Sequence, residues 1–343
     1  MKNRKNILVI RLSAMGDVAM TAIVIKAFLE QNPNVKITML SKAFLKPIFE
    51  DIPNVHFYIA DTNGKHKGVF GIFKLYKELK KLKIDAVADL HNVIRSKLLS
   101  LFFMGTNTAK LDKGRAEKKA LTSIENKVFK PLKTTHERYA DVFRALGYSV
   151  ILSKITFSKA PPLNENLTSI LNDTKNKLVG IAPFAQHESK WYPLDLTEKV
   201  IETLSQKSNI SVLLFGGGRK ETEELIILSK KFKNVICIAG RIKLKEELLL
   251  ISNLDCMLSM DSGNGHLSAL FGIPTITLWG GTHPYAGFTP FNQPESNSFT
   301  PNLKKYPHIP YTVYGNKILE GYEDAMRTIK PEMISDKIIE IIS

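Results

Sequence analysis

The chain has 343 residues, 44% of them hydrophobic, which is more than one core usually organises and ample for two domains. It holds no run of about 18 apolar residues, and the basic start Met1-Lys-Asn-Arg-Lys-Asn leads only into a strand-length apolar run, so neither a membrane span nor a signal peptide is expected and the protein reads as cytoplasmic. The net charge of +15 is uneven, with 29 Lys and Arg against 13 Asp and Glu in residues 1–160 but 19 against 20 in residues 161–343, so the first part is expected either to meet an anionic partner or to be coated with solvated lysines.

Apolar runs at Ile7–Ile10, Val35–Leu40, Val55–Ala60 and Ile84–Leu90 read as buried parallel strands. Helical spacing lies between and after them, over Val18–Glu30, Ile72–Leu82 and Thr135–Gly147. From Tyr148 to about Lys177 the pattern weakens around Pro161-Pro162, as a linker would. A second series follows, with strands at Leu178–Ala182, Val212–Phe215, Val235–Ile238 and Asp255–Met260. Helices are expected near Leu194–Ser205, Lys220–Lys231 and Leu244–Ser252. The stretch 283–330 looks irregular, and Pro331–Ile342 reads as a helix opened by proline. Repeated βα units of this kind predict an α/β class protein. Its parts are a doubly wound domain over 1–160, another over 175–330 and a terminal helix over 331–343. The two cysteines, Cys237 and Cys256, lie in or beside strands and are expected as buried thiols; no Cys/His cluster has metal-ligand spacing.

Two strand–turn–helix segments carry the chemistry. In Arg11-Leu-Ser13-Ala-Met-Gly16-Asp17, the turn leaves the carboxyl end of the first strand, where open α/β sheets bind ligands. Ser13 or Asp17 could cap the helix, Gly16 keeps the turn compact, and an ionised Asp17 at a cleft could take a proton from an attacking hydroxyl. Arg11 either braces the turn by an ion pair or faces solvent. In the second half, Asp261-Ser262-Gly263-Asn264-Gly265-His266 opens a helix whose N–H groups suit a phosphate. The glycines would let a ligand approach the backbone, and His266 could donate or brace. Lys190, on the loop Pro183–Pro193, could reach a diphosphate as a point charge. Glu221, after Gly216-Gly217-Gly218, either binds ribose hydroxyls or is an exposed carboxylate at a helix start. Neither a P-loop nor G-x-G-x-x-G is present, which weighs against a Rossmann oxidoreductase. No nucleic-acid-binding signature accompanies the basic half, so no nucleic acid is expected.

Taken together and in order, Ile7–Asp17, Pro183–Pro193 and Asp261–Gly281 resemble the glycosyltransferase family 9 heptosyltransferases. The resemblance implies a GT-B architecture of two Rossmann-like domains facing a central cleft. It implies inverting, metal-independent transfer of heptose from ADP-heptose to a Kdo/lipid A or inner-core lipopolysaccharide acceptor. By position it places the catalytic base on Asp17 and a phosphate-binding lysine on Lys190. The nucleotide turn falls on Asp261, Ser262, Gly263 and His266, with Gly265 a lesser candidate; the ribose acid falls near Glu221 and the adenine near Ile242. Ala185 and Gln186 stand where well-known members have hydroxyl residues. No cofactor is expected beyond the nucleotide-sugar donor. The anionic acceptor, or a cytoplasmic-face membrane, is expected to meet Lys113, Arg115, Lys118 and Lys119, whereas Lys77, Lys80, Lys81 and Lys83 share a helical stretch with an apolar face and read as solvated. A GT-B transferase using another nucleotide sugar is the alternative.

Overall fold

The computed structural model describes residues 4–172 and 174–343. Contacts divide the chain into two compact units, Met1–Lys113 with Thr134–Phe157, and Gly114–Lys133 with Ser158–Ser343.

The first unit is built on five parallel strands: β1 (Lys5–Ile10), β2 (Val35–Ser41), β3 (Val55–Ile59), β4 (Ala86–Asp89) and β5 (Asn107–Lys110), in the order β3-β2-β1-β4-β5. β1 is buried from Asn6 onward because helices cover both faces. On one face lies α1 (Met15–Gln31), in which every residue from Val18 to Ile25 is buried. It packs on α5 (Thr135–Ala145), where the Phe28 and Phe143 rings stack with centroids 4.5 Å apart. On the other face α2 (Gly68–Lys80) and α3 (Ile94–Phe102) bury Ile72, Leu75, Leu79 and Leu99 against Leu8, Ile10 and Val87. The chain enters β1 at the centre, winds outward to β3, then crosses to β4. The strand order therefore reverses between β1 and β4, which makes their carboxyl ends this sheet's ligand-binding crevice.

The second unit repeats the plan with β6 (Lys177–Ala182), β7 (Ile210–Leu214), β8 (Val235–Cys237), β9 (Cys256–Met260), β10 (Thr275–Leu278) and the two-residue β11 (Ser298–Phe299). All pair in parallel, in the order β11-β10-β9-β6-β7-β8, and here the reversal falls between β6 and β9. The helices are α4 (Arg115–Leu121), α6 (Glu165–Ile170), α7 (Leu194–Ser205), α8 (Arg219–Ser229), α9 (Leu244–Ile251), α10 (Gly263–Ala269) and α11 (Pro331–Ile342). The terminal helix α11 buries Ile334, Ile338 and Ile342 in the same core as Val200, Ile201 and Leu204 of α7.

The segment 114–133, within the range expected for the first domain, packs with the second unit. Lys127 Nζ donates to the carbonyls of His308 and Pro310 at 2.7 and 2.8 Å, and the Leu132 N–H donates to the Tyr285 carbonyl at 2.9 Å. Both cysteines are buried free thiols, and burial pushes Cys256 up to about 12. Among the described residues no helix is long and apolar enough to cross a membrane.

Candidate functional site

At the β1/β4 crevice the chain leaves β1 through Arg11 and enters α1. Asp17 sits in the first turn of α1 and its Oδ2 accepts the Ala14 N–H at 3.3 Å, so Asp17 does the capping and Ser13 does not. Gly16 lies one residue earlier in the same turn. Arg11 is buried and forms an ion pair with Asp17 Oδ2, while its Nη1 donates to the Leu90 carbonyl at 2.8 Å beyond β4. Burial works against the Arg11 charge, yet Tyr139, Asp17 and Asp89 outweigh it and hold the guanidinium above its ordinary value. Arg11 thus braces the turn.

Two contributors were not singled out in the sequence. Tyr139, buried on α5, donates its hydroxyl to Asp17 Oδ1 at 3.2 Å, and burial holds that phenol well above its ordinary value. His91 follows β4, and burial, then the Arg11 and Lys113 charges, push it down to about 4. It is therefore neutral near pH 7. The rule that singled out Asp17, position beyond a strand's carboxyl end, also applies to His91; Tyr139 sits in an ordinary amphipathic helix.

In the second unit Lys190 Nζ lies 2.8 Å from Asp261 Oδ2 and donates to the Asp261 carbonyl at 3.1 Å, joining the loop after β6 to the turn after β9. Backbone crowding fixes that loop. The Gly281 N–H donates to the Ser189 carbonyl at 2.8 Å, and Ser189 Oγ donates to the Gly315 carbonyl at 2.6 Å. A Cβ on Gly315, whose φ is +82°, would lie 2.5 Å from Lys190 Cε, so the lysine stem runs across bare backbone. Ser262 precedes α10 without capping it, and its Oγ is buried with no partner. A buried hydroxyl in that state suits a ligand oxygen. Gly263 begins α10, and His266 is buried within it.

Other expected residues have structural tasks. A Cβ on Gly265 would meet Ser259 Oγ at 2.6 Å, so this glycine lets α10 lie close to β9. Glu221 Oε2 accepts the Gly217 N–H at 2.8 Å, closing the glycine turn after β7. Gln186 is exposed after β6, and Ile242 is half-buried after β8. The four basic residues assigned to the acceptor are divided between the two units. Lys113 belongs to the first unit, whereas Arg115, Lys118 and Lys119 belong to α4 in the second. Lys118 is moreover buried, its ammonium 4.1 Å from the centroid of the Phe288 ring, because α4 turns that side inward. Arg115 and Lys119 remain exposed.

Residues 72–318 match the family model described as glycosyltransferase family 9 (heptosyltransferase). The chain belongs to glycosyltransferase family 9. This family 9 protein is accordingly a glycosyltransferase. It is 26% identical to lipopolysaccharide heptosyltransferase 1 of Campylobacter coli, with 98% of each chain covered. Its fold is that of a family 9 glycosyl transferase from Veillonella parvula, with a TM-score of 0.75 at 18% identity over 100% of this chain and 98% of the other. It also matches the E. coli heptosyltransferase WaaC with ADP-2-deoxy-2-fluoro heptose, with a TM-score of 0.66 at 19% identity over 98% and 99%. Two Rossmann-like domains of this kind make up the GT-B architecture.

Proposed function

We propose that this family 9 enzyme transfers heptose from ADP-heptose to an anionic lipopolysaccharide precursor, Kdo/lipid A or the inner core, at the cytoplasmic face of the membrane. The supporting observation is that each sheet's switch point is occupied by a charged pair of fitting chemistry, Arg11–Asp17 in one unit and Lys190–Asp261 in the other. Named relatives act on lipopolysaccharide, and one solved relative holds an ADP-heptose analogue.

The donor half of the proposal follows the sheet edge. Residues expected at the diphosphate, ribose and adenine stand after β9, β6, β7 and β8, four consecutive strands in the sheet. Three strand intervals of about 4.8 Å span about 14 Å, the scale of an extended nucleoside diphosphate. Lys190 has three donors, and those not turned to Asp261 can meet a phosphate oxygen. Ser262 Oγ and the N–H groups opening α10 would add neutral donors.

For the acceptor, Asp17 Oδ2 is committed to Arg11 and to the Ala14 N–H, whereas among the described residues Oδ1 takes only the Tyr139 hydroxyl and retains a lone pair. Oδ1 would accept the proton of the acceptor hydroxyl as its oxygen attacks the anomeric carbon. The bond from that carbon to the diphosphate oxygen breaks, and its electron pair leaves with ADP. One displacement inverts the centre. Lys190 offsets the charge that develops on the leaving group, so metal independence belongs to the proposal.

Asp17→Asn keeps the shape of the turn and removes the base. Turnover with ADP-heptose is expected to fall by about 100- to 10,000-fold, while calorimetry shows ADP bound as in the unaltered protein. Retained turnover overturns the role of Asp17. ADP is expected to bind more tightly than UDP, GDP or CMP, and preference for another nucleotide overturns the donor. EDTA is expected to leave the rate unchanged.

A further inference from the structure

The lysines of α2 belong to a surface that the first unit's own fold leaves uncovered. α2 turns Ile72, Leu75 and Leu79 into the core and leaves Val69, Phe70 and Phe73 exposed, Phe70 at 92%. Next to it, α3 buries Leu99 and leaves Ile94, at 87%, and Leu101 exposed, with Met104 beyond its end at 80%. The two helices are adjacent, since the Phe73 and Phe102 ring centroids are 5.3 Å apart. Exposed large apolar groups in such number on one face of a folded domain mark a contact surface.

The charges there have one sign. Lys74, Lys77 and Lys80 on α2 and Arg95 and Lys97 on α3 are all exposed. The one carboxylate on the two helices, Glu78, is paired with Lys65 at 2.6 Å. Lys77 lies over the Phe73 ring at 4.7 Å, its stem running along apolar surface with the ammonium at the rim. Protein interfaces deplete lysine, whereas apolar groups ringed by lysine suit the boundary between acyl chains and anionic headgroups. Topology fixes where this surface points. α2 and α3 follow parallel strands, so their first residues, Val69, Phe70 and Ile94, stand at the carboxyl edge of the sheet, the edge that carries Asp17.

We propose that the α2–α3 face docks on an anionic phospholipid bilayer, with Val69, Phe70 and Ile94 entering the headgroup boundary and the lysines pairing with lipid phosphates. The inference rests on the heptosyl-transfer reading for its purpose, since a lipid-linked acceptor would then reach the Asp17 edge from the bilayer.

Cosedimentation of the full chain with vesicles of phosphatidylcholine, alone or mixed with phosphatidylglycerol, tests it. Binding is expected only with phosphatidylglycerol and is expected to weaken about tenfold both in Val69→Ser/Phe70→Ser and in Lys74→Glu/Lys77→Glu. ADP affinity, measured alongside, is expected to stay unchanged and shows that the variants are folded. Absence of binding by the unaltered protein, or variants that bind as tightly as the unaltered protein, overturns the proposal. So does a dimer in sedimentation velocity that Phe70→Ser dissolves, which would assign the face to a second copy. The vesicles hold neither donor nor acceptor, so a protein that binds them without transferring heptose overturns the functional reading and supports this one.

Discussion

Arg11 is a buried cation whose position depends on contacts to both sides of a switch point, Asp17 after β1 and the Leu90 carbonyl after β4. That makes it a positioning residue: it ties the carboxylate to the neighbouring strand and leaves Oδ1 outside the ion pair. Arg11→Met removes the tie and is expected to lower kcat on the order of 100-fold with ADP affinity unchanged. Equal losses in both would mean that the second unit had been disturbed. Tyr139→Phe removes a single hydrogen bond and is expected to cost about tenfold in kcat. The sequence pointed to Asp17 and left Arg11 open between bracing and solvent, because both follow a strand's carboxyl end. Tyr139 was illegible. Its helix shows ordinary amphipathic spacing, and only the packing of α5 on α1 brings its hydroxyl to Asp17.

Among the elements, the Lys190 loop shows how a site is held without regular structure. A Cβ on Gly280 would lie 2.1 Å from the Ser189 carbonyl oxygen and 3.0 Å from Lys190 Cα, both backbone atoms that cannot rotate away. Gly280→Ala therefore has to push the loop aside, at a cost of about 1–3 kcal/mol. It is expected to lower the thermal midpoint and weaken ADP binding together, as calorimetry and thermal unfolding would show. A variant with unaltered ADP affinity would show that this loop does not hold the nucleotide. Elements whose own periodicity is strong were read closely. α7 and α11 span Leu194–Ser205 and Pro331–Ile342, as their apolar spacing predicts. The missed elements, β5, α3, α4, α6 and β11, are short, and β5 is a four-residue polar edge strand with no buried position. What makes such a segment a strand is the neighbour it pairs with, here β4, and no local pattern records that.

Across the whole molecule the charge asymmetry was legible, but the unit that carries each basic residue was not. Segment 114–133 packs with the second unit and takes Arg115, Lys118 and Lys119 with it, leaving the α2 and α3 lysines on the first. The same division gives the two units different responses to acid. His91 in the first unit titrates near 4 rather than 6.5 because of burial and the adjacent Arg11. Between those values the unfolded chain binds a proton that the folded one refuses, so its stability is fully present above about pH 6.5 and is lost as pH falls toward 4. His283 in the second unit, pushed down to about 4 by burial and then by Lys127, acts in the same direction. Glu247 acts oppositely: burial raises it from 4.5 to about 7, so the folded state holds the extra proton and gains stability as pH falls from 7 toward 4.5. Acidification from pH 8 to 5 is thus expected to weaken the first unit by about 2 kcal/mol, while in the second unit His283 and Glu247 largely cancel. Thermal unfolding across that range checks both halves of the expectation. His91→Asn should flatten the acid loss, and Glu247→Gln should raise the midpoint at pH 8 but not at pH 5. An equal gain at both pH values would remove proton linkage at Glu247 as its cause.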